Sequence, residues 1–150
     1  MAYEFTEHTS DIRMRVTGRT LDDLFRSALL GMMAALGPGS PIRGEGSLGS
    51  LPMSAVSALS AHPRRISFSA NDATALLIDF LNEALGHVHA AREVYTGVRF
   101  ESLSETGLVA ELCGYVTDAF DEDIKAVTYH EAHAKRTKDG GWETTIIFDL

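Results

Sequence analysis

Ile124-Lys125-Ala126-Val127-Thr128-Tyr129-His130 and, beyond a turn at Lys138-Asp139-Gly140-Gly141, Trp142-Glu143-Thr144-Thr145-Ile146-Ile147-Phe148-Asp149-Leu150 close the sequence. Both runs are rich in β-branched and aromatic residues, and Asp-Gly-Gly supplies the backbone freedom of a tight turn, so the stretch reads as a β-hairpin. Its arms are expected over 125–135 and 141–150. Asp149 stands at the end of an apolar strand, next to Leu150, whose backbone oxygens are a further potential donor. A carboxylate close to a core needs a proton, a cationic partner or a bound cation. The rest of the chain is read for that partner.

Working outward, the chain has 150 residues, 45% of them hydrophobic, which is enough for one domain with a real core. Apolar runs are too short for a transmembrane helix, and Met1-Ala2-Tyr3-Glu4-Phe5 does not open a secretory signal. Cys113, the single cysteine, allows neither an internal disulfide nor a cysteine-based zinc site. A cytoplasmic location and no membrane association are the expectation. The net charge of −8 argues against strong direct nucleic-acid binding, because such proteins present a basic face. The thirteen basic residues are scattered, with Arg13, Arg15 and Arg19 the one local concentration.

From the N-terminus, Tyr3 to Thr6 alternates as a first strand, and His8-Thr9-Ser10-Asp11 is a polar turn. Ile12, Met14 and Val16 alternate with Arg13, Arg15 and Thr17, a half-buried strand that Asp11 opens on its polar face. Thr20 is an N-cap, and Leu21, Leu24, Phe25, Ala28, Leu29, Met32, Met33 and Leu36 follow at helical spacing to Gly37-Pro38-Gly39. Residues 37–63 are a long Gly/Ser/Pro-rich loop, with weak helical character over Leu51–Val56. A strand is expected over Arg64–Ala70. A second amphipathic helix, capped by Asn71, carries Leu76, Leu77, Phe80, Leu81, Ala84, Leu85 and Val88 inward. On that helix Asp79 and Glu83 share an exposed, mutually repelling face, and His87 and His89 diverge as solvent-exposed residues.

Val94–Leu103 and Leu108–Thr117 form a further hairpin. The acidic run Asp118–Asp123 has no glycine at the turn and leads into a strand, which excludes an EF-hand. In a strand over 125–135, His130 and His133 point to opposite faces and make no joint site. The expected fold class is therefore α+β, a mostly antiparallel sheet with two amphipathic helices. No phosphate loop, nucleophile elbow or His-Glu-x-x-His motif occurs. One long-range constellation remains: Asp11 at the start of one strand and Asp149 at the end of another. Side by side they offer hard oxygen ligands suited to calcium or magnesium rather than zinc. On separate edges they are two solvated acids, and spacing alone favours that second arrangement.

The motifs change the weighting. Tyr3-Glu4-Phe5-Thr6-Glu7-His8-Thr9-Ser10-Asp11-Ile12 resembles the N-terminal signature of the archease family. Thr20-Leu21-Asp22-Asp23-Leu24-Phe25 with Ala28 and Gly31-Met32 resembles its first helix. Ile124–His130 and Gly141-Trp142-Glu143 through Ile147-Phe148-Asp149-Leu150 are similar to its C-terminal motifs. The matches run in order from end to end.

The resemblance implies a single archease-like domain that is not an enzyme. It implies an activator of the GTP-dependent tRNA-splicing ligase that promotes ligase guanylylation and multiple turnover. It also implies a metal site at Asp11, Asp149 and the backbone oxygen of Leu150, with calcium as the usual ion. His8, Lys125 and His130 lie in the same motifs. A chaperone-like role toward a tRNA methyltransferase is an alternative, as is a stand-alone metal-dependent phosphoesterase or nucleotide-binding enzyme. Ser10 in place of alanine, a short connection before Ile124 and the long 37–63 segment depart from the family pattern without touching the metal residues.

Overall fold

A computed structural model describes residues 2–7, 11–37, 63–117, 120 and 123–150. The elements run β1 (Ala2–Glu7), β2 (Asp11–Gly18), α1 (Leu21–Leu36), β3 (Arg64–Ser69), α2 (Ala73–Ala91), β4 (Glu93–Leu103), β5 (Gly107–Val116), β6 (Ala126–Thr128), β7 (Lys135–Arg136) and β8 (Trp142–Asp149). They build two antiparallel sheets. One has the order β1-β2-β8-β6, with β7 also on β8, and the other has the order β3-β5-β4. No described helix is long and apolar enough to cross a membrane.

The strand alternation of β2 is what joins α1 to the first sheet. Ile12, Met14 and Val16 are buried, while Arg13, Arg15 and Thr17 stay at least partly exposed on the other face. α1 starts at Thr20, whose hydroxyl accepts from the Asp23 N–H at 3.1 Å, and stops at Gly37, which takes φ 89°. It packs against β2 on one side and β4 on the other. Lying between two sheets, it buries Ser27, Ala34 and Ala35 as well as its expected apolar stripe. The first sheet packs close at Gly31, where a Cβ would run into the Met14 sulfur. Phe25 of α1, Phe80 of α2 and Phe100 of β4 join the layers, with Phe25 and Phe80 centroids 5.5 Å apart. Burial of each such ring contributes about 1.5–3 kcal/mol.

The second sheet carries a buried polar lock. Glu93 is only 5% exposed and accepts from Arg64 Nε at 3.2 Å, Arg64 Nη2 at 3.0 Å and the Tyr95 hydroxyl at 2.7 Å. Burial pushes the Glu93 carboxyl up, but the Arg64 guanidinium and the Tyr95 hydroxyl together hold it below the usual carboxylate range. Burial, together with the bond to Glu93, raises the Tyr95 phenol.

Several expectations are corrected. Helix α2 is capped by Asp72, not Asn71: the Asp72 carboxylate accepts from the Ala75 N–H at 2.8 Å. The long arm expected over 125–135 is two short strands, β6 and β7, separated by a turn in which the Ala132 N–H donates to the Tyr129 carbonyl at 3.0 Å. Glu131 in that turn has φ 61°, which no continuous strand admits. His130 and His133 are therefore exposed loop residues rather than members of one strand. Asp79 accepts a hydrogen bond from the Tyr129 hydroxyl, and Glu83 lies 3.3 Å from the His87 ring. His89 is tied by its ring to the Ile124 carbonyl. The expected helical turn at Leu51–Val56, His8 and most of the acidic run 118–123 lie outside the described residues.

Candidate metal centre

β2 and β8 pair antiparallel from Gly18↔Trp142 through Ile12↔Phe148 to Asp11↔Asp149. The first residue of one strand therefore faces the last residue of the other. Directly opposed residues leave the same face of a sheet, with Cβ atoms about 4.5–5.5 Å apart. Inward residues Ile12 and Phe148 anchor the register one step away, both essentially fully buried. A slip by one residue would turn this apolar set to solvent, so the core itself fixes the opposition of the acids. The arrangement with the two acids on separate edges is excluded.

On its other side, Asp149 faces Ala126 of β6, and its carbonyl accepts from the Lys125 N–H at 2.8 Å. Its side chain is exposed, whereas Asp11 is half-buried. The Asp11 Oδ1 atom is buried and has no hydrogen-bond partner among the described residues. Leu150 is half-buried against the core.

The arginines along the same face of β2, and Lys135, are engaged elsewhere. Arg13, next along the same face, pairs with Glu131; Arg15 pairs with Glu143 at 2.8 Å and lies 3.8 Å from Glu4; Lys135 sits 3.5 Å from Glu143. Among the described residues no ion pair reaches Asp11 or Asp149. Two opposed carboxylates without a counter-charge repel. A buried carboxylate oxygen without a donor is costly. A divalent cation answers both, so the residues present fit one: two carboxylates plus backbone oxygen are hard donors of the calcium or magnesium type.

Among the described residues no cluster of three or more His, Cys, Asp or Glu side chains forms. The two acids alone leave most coordination positions to backbone oxygen, water or a partner's group. Lys125, whose N–H bonds the Asp149 carbonyl, exposes its side chain; His130 is exposed beyond the far end of β6; and His8 lies outside the described residues. Sequence reasoning misses the groups that hold β6 in place, the Asn82 amide and the His89 ring. Their only signal is polarity at helix positions that are half-exposed (Asn82) or exposed (His89), which ordinary surface residues share.

The model of the Archease protein family matches residues 3–150. The archease of Thermococcus gammatolerans is 30% identical over 160 residues, covering 99% of this chain and 98% of that protein. The archease of Methanosarcina acetivorans is 28% identical over 156 residues, covering 99% and 95%. Two solved structures share the fold. The solution structure of Methanobacterium thermoautotrophicum protein 1598 has a TM-score of 0.71 at 23% identity, covering 99% of this chain and 98% of that one. The crystal structure of an archease from Thermotoga maritima, described as a possible chaperone, has a TM-score of 0.55 at 14% identity, covering 100% and 98%.

Proposed function

The chain belongs to the archease family, and from that premise we propose that it assists another protein rather than catalysing a reaction. The partner is the GTP-dependent tRNA-splicing ligase, whose guanylylation and turnover it promotes in the cytoplasm. The possible-chaperone description of the Thermotoga maritima relative supports the helper half of this reading. The observation that carries the cation half is the opposition of Asp11 and Asp149, with a buried Asp11 Oδ1 that has no hydrogen-bond partner among the described residues.

Asp11, Asp149 and the Leu150 backbone oxygen would hold the ion, calcium by the family resemblance, with magnesium fitting the same donor type. When bound, the ion supplies a concentrated positive charge with open positions for a partner's oxygen. The chain's own residues do the positioning. The buried Ile12↔Phe148 pair fixes the register, and the Lys125 N–H holds the Asp149 carbonyl. An activator of this kind acts by preferring one conformer of its partner, and its effect is limited to its difference in affinity for the two.

The test is multiple-turnover RNA ligation by the ligase with wild-type chain, Asp11→Ala or Asp149→Ala added. The reading expects stimulation by the wild type and its loss in both variants. Full stimulation by both variants would remove the acid pair from the function, and no stimulation by the wild type would remove the ligase.

A further inference from the structure

β6 is only three residues long, and among the described residues one of its edges has no strand beside it. A helix fills that edge. The Asn82 side chain of α2 accepts from the Val127 N–H at 3.0 Å and donates to the Val127 carbonyl at 2.8 Å, as a neighbouring strand would. Two helical turns further on, the His89 ring lies 2.8 Å from the Ile124 carbonyl. Val127 is 3% exposed, so without Asn82 both of its main-chain groups would be buried and unpaired.

The other edge of β6 leads straight to the acids. Ala126 faces Asp149, Thr128 faces Ile147, and the Lys125 N–H holds the Asp149 carbonyl. Asp149 is thus held between Asp11 on one side and a segment pinned by Asn82 on the other. Groups that orient a ligand set from behind typically change metal affinity 10–100-fold when removed.

We infer that Asn82 is the positioning residue of the acid corner, acting through Val127 and β6 on Asp149; this rests on the cation reading of that corner. The amide is suited to the task because it alone offers a donor and an acceptor in the spacing of a peptide group. Asp at this position keeps the acceptor for the Val127 N–H and loses the donor to the carbonyl.

The experiment compares wild type, Asn82→Ala and Asn82→Asp in two readouts: amide hydrogen exchange, and calcium titration by calorimetry. Asn82→Ala is expected to lose protection at the Lys125 and Val127 amides, with Met14 and Ile146 unchanged, and to bind calcium about tenfold or more weakly. Asn82→Asp, which keeps the bond to the Val127 N–H but sets an acceptor against the Val127 carbonyl, is expected to lose protection at the same amides and serves as the decisive variant should Asn82→Ala unfold. Unchanged Lys125 protection, unchanged calcium affinity, or loss of protection spread equally through Met14 and Ile146 overturns the inference. Failure of the wild type itself to bind calcium is a separate result. It sinks the cation reading, and the exchange data then decide alone whether Asn82 controls the corner.

Discussion

Asp11 and Asp149 are directly opposed on neighbouring antiparallel strands, one at the start of β2 and the other at the end of β8. Like charges opposed in this way destabilise a pair by about 0.2–1 kcal/mol. Replacement of one acid by its amide should therefore change sign with the ion. In chelator-containing buffer, Asp149→Asn is expected to be as stable as the wild type or more stable, by up to about 1 kcal/mol. With calcium in excess the wild type should gain stability and the variant should not. Urea unfolding in the two buffers measures both.

Glu93 predicts the acid limb of the stability profile. Its folded carboxyl is held below the usual range, so the unfolded chain takes up the proton first as pH falls. The stabilisation is complete above the unfolded value, about 4.3, and is lost as pH drops through the folded value. Glu93→Gln also removes the charge-assisted hydrogen bonds from Arg64, whose side chain is 36% exposed, at a cost of about 1.5–3 kcal/mol. Glu93→Gln should thus be destabilised at neutral pH, and the gap to wild type should narrow below about pH 4. Denaturant melts across pH 2.5–7 test this, and a gap that stays constant would contradict it.

Gly114 lies where β5 meets β4 too closely for a side chain. A Cβ there would overlap the Val94 carbonyl and sit 2.8 Å from the Tyr95 Cα. Both obstacles are backbone, so relief requires the strands to part. Gly114→Ala is expected to cost at least about 1–3 kcal/mol. Gly86 on α2, where a Cβ meets nothing within 4 Å, is the control. There alanine should stabilise, by up to about 1 kcal/mol. Thermal melts of the pair decide it.

The cap of α2 gives a fourth stability comparison. Asp72→Ala should cost about 0.5–2 kcal/mol, because it removes the acceptor of the Ala75 N–H. Asn71→Ala, on an exposed residue outside the cap, should stay within about 0.5 kcal/mol. Equal effects would contradict the assignment.

What is legible in the sequence follows from what carries a period. The alternation of Ile12, Met14 and Val16, the spacing along α1 and the Lys138–Gly141 turn each set local structure by burial or backbone freedom, and the structure keeps them. The segment 125–135 is different. Its alternating pattern suggests one strand, but Val127 satisfies its main chain on a helix side chain and Glu131 turns left-handed. Neither contact has a local signature, since Asn82 and Val127 lie 45 residues apart. The same holds for the acids. Each is recognisable at a strand end, whereas their opposition depends on β8 choosing β2 as its neighbour. Spacing carries no record of that choice, and the family resemblance alone anticipates it. Asn71 and Asp72 are both good caps by type, and only the backbone of the last residue before the helix distinguishes them.

The most direct test of the account is calorimetric titration of calcium into the chelator-stripped wild-type chain and into Asp11→Ala and Asp149→Ala. The account predicts binding at a single site in the wild type and its loss in both variants, with folding intact by circular dichroism. A wild type that takes up no calcium or magnesium, or variants that bind as it does, would contradict it.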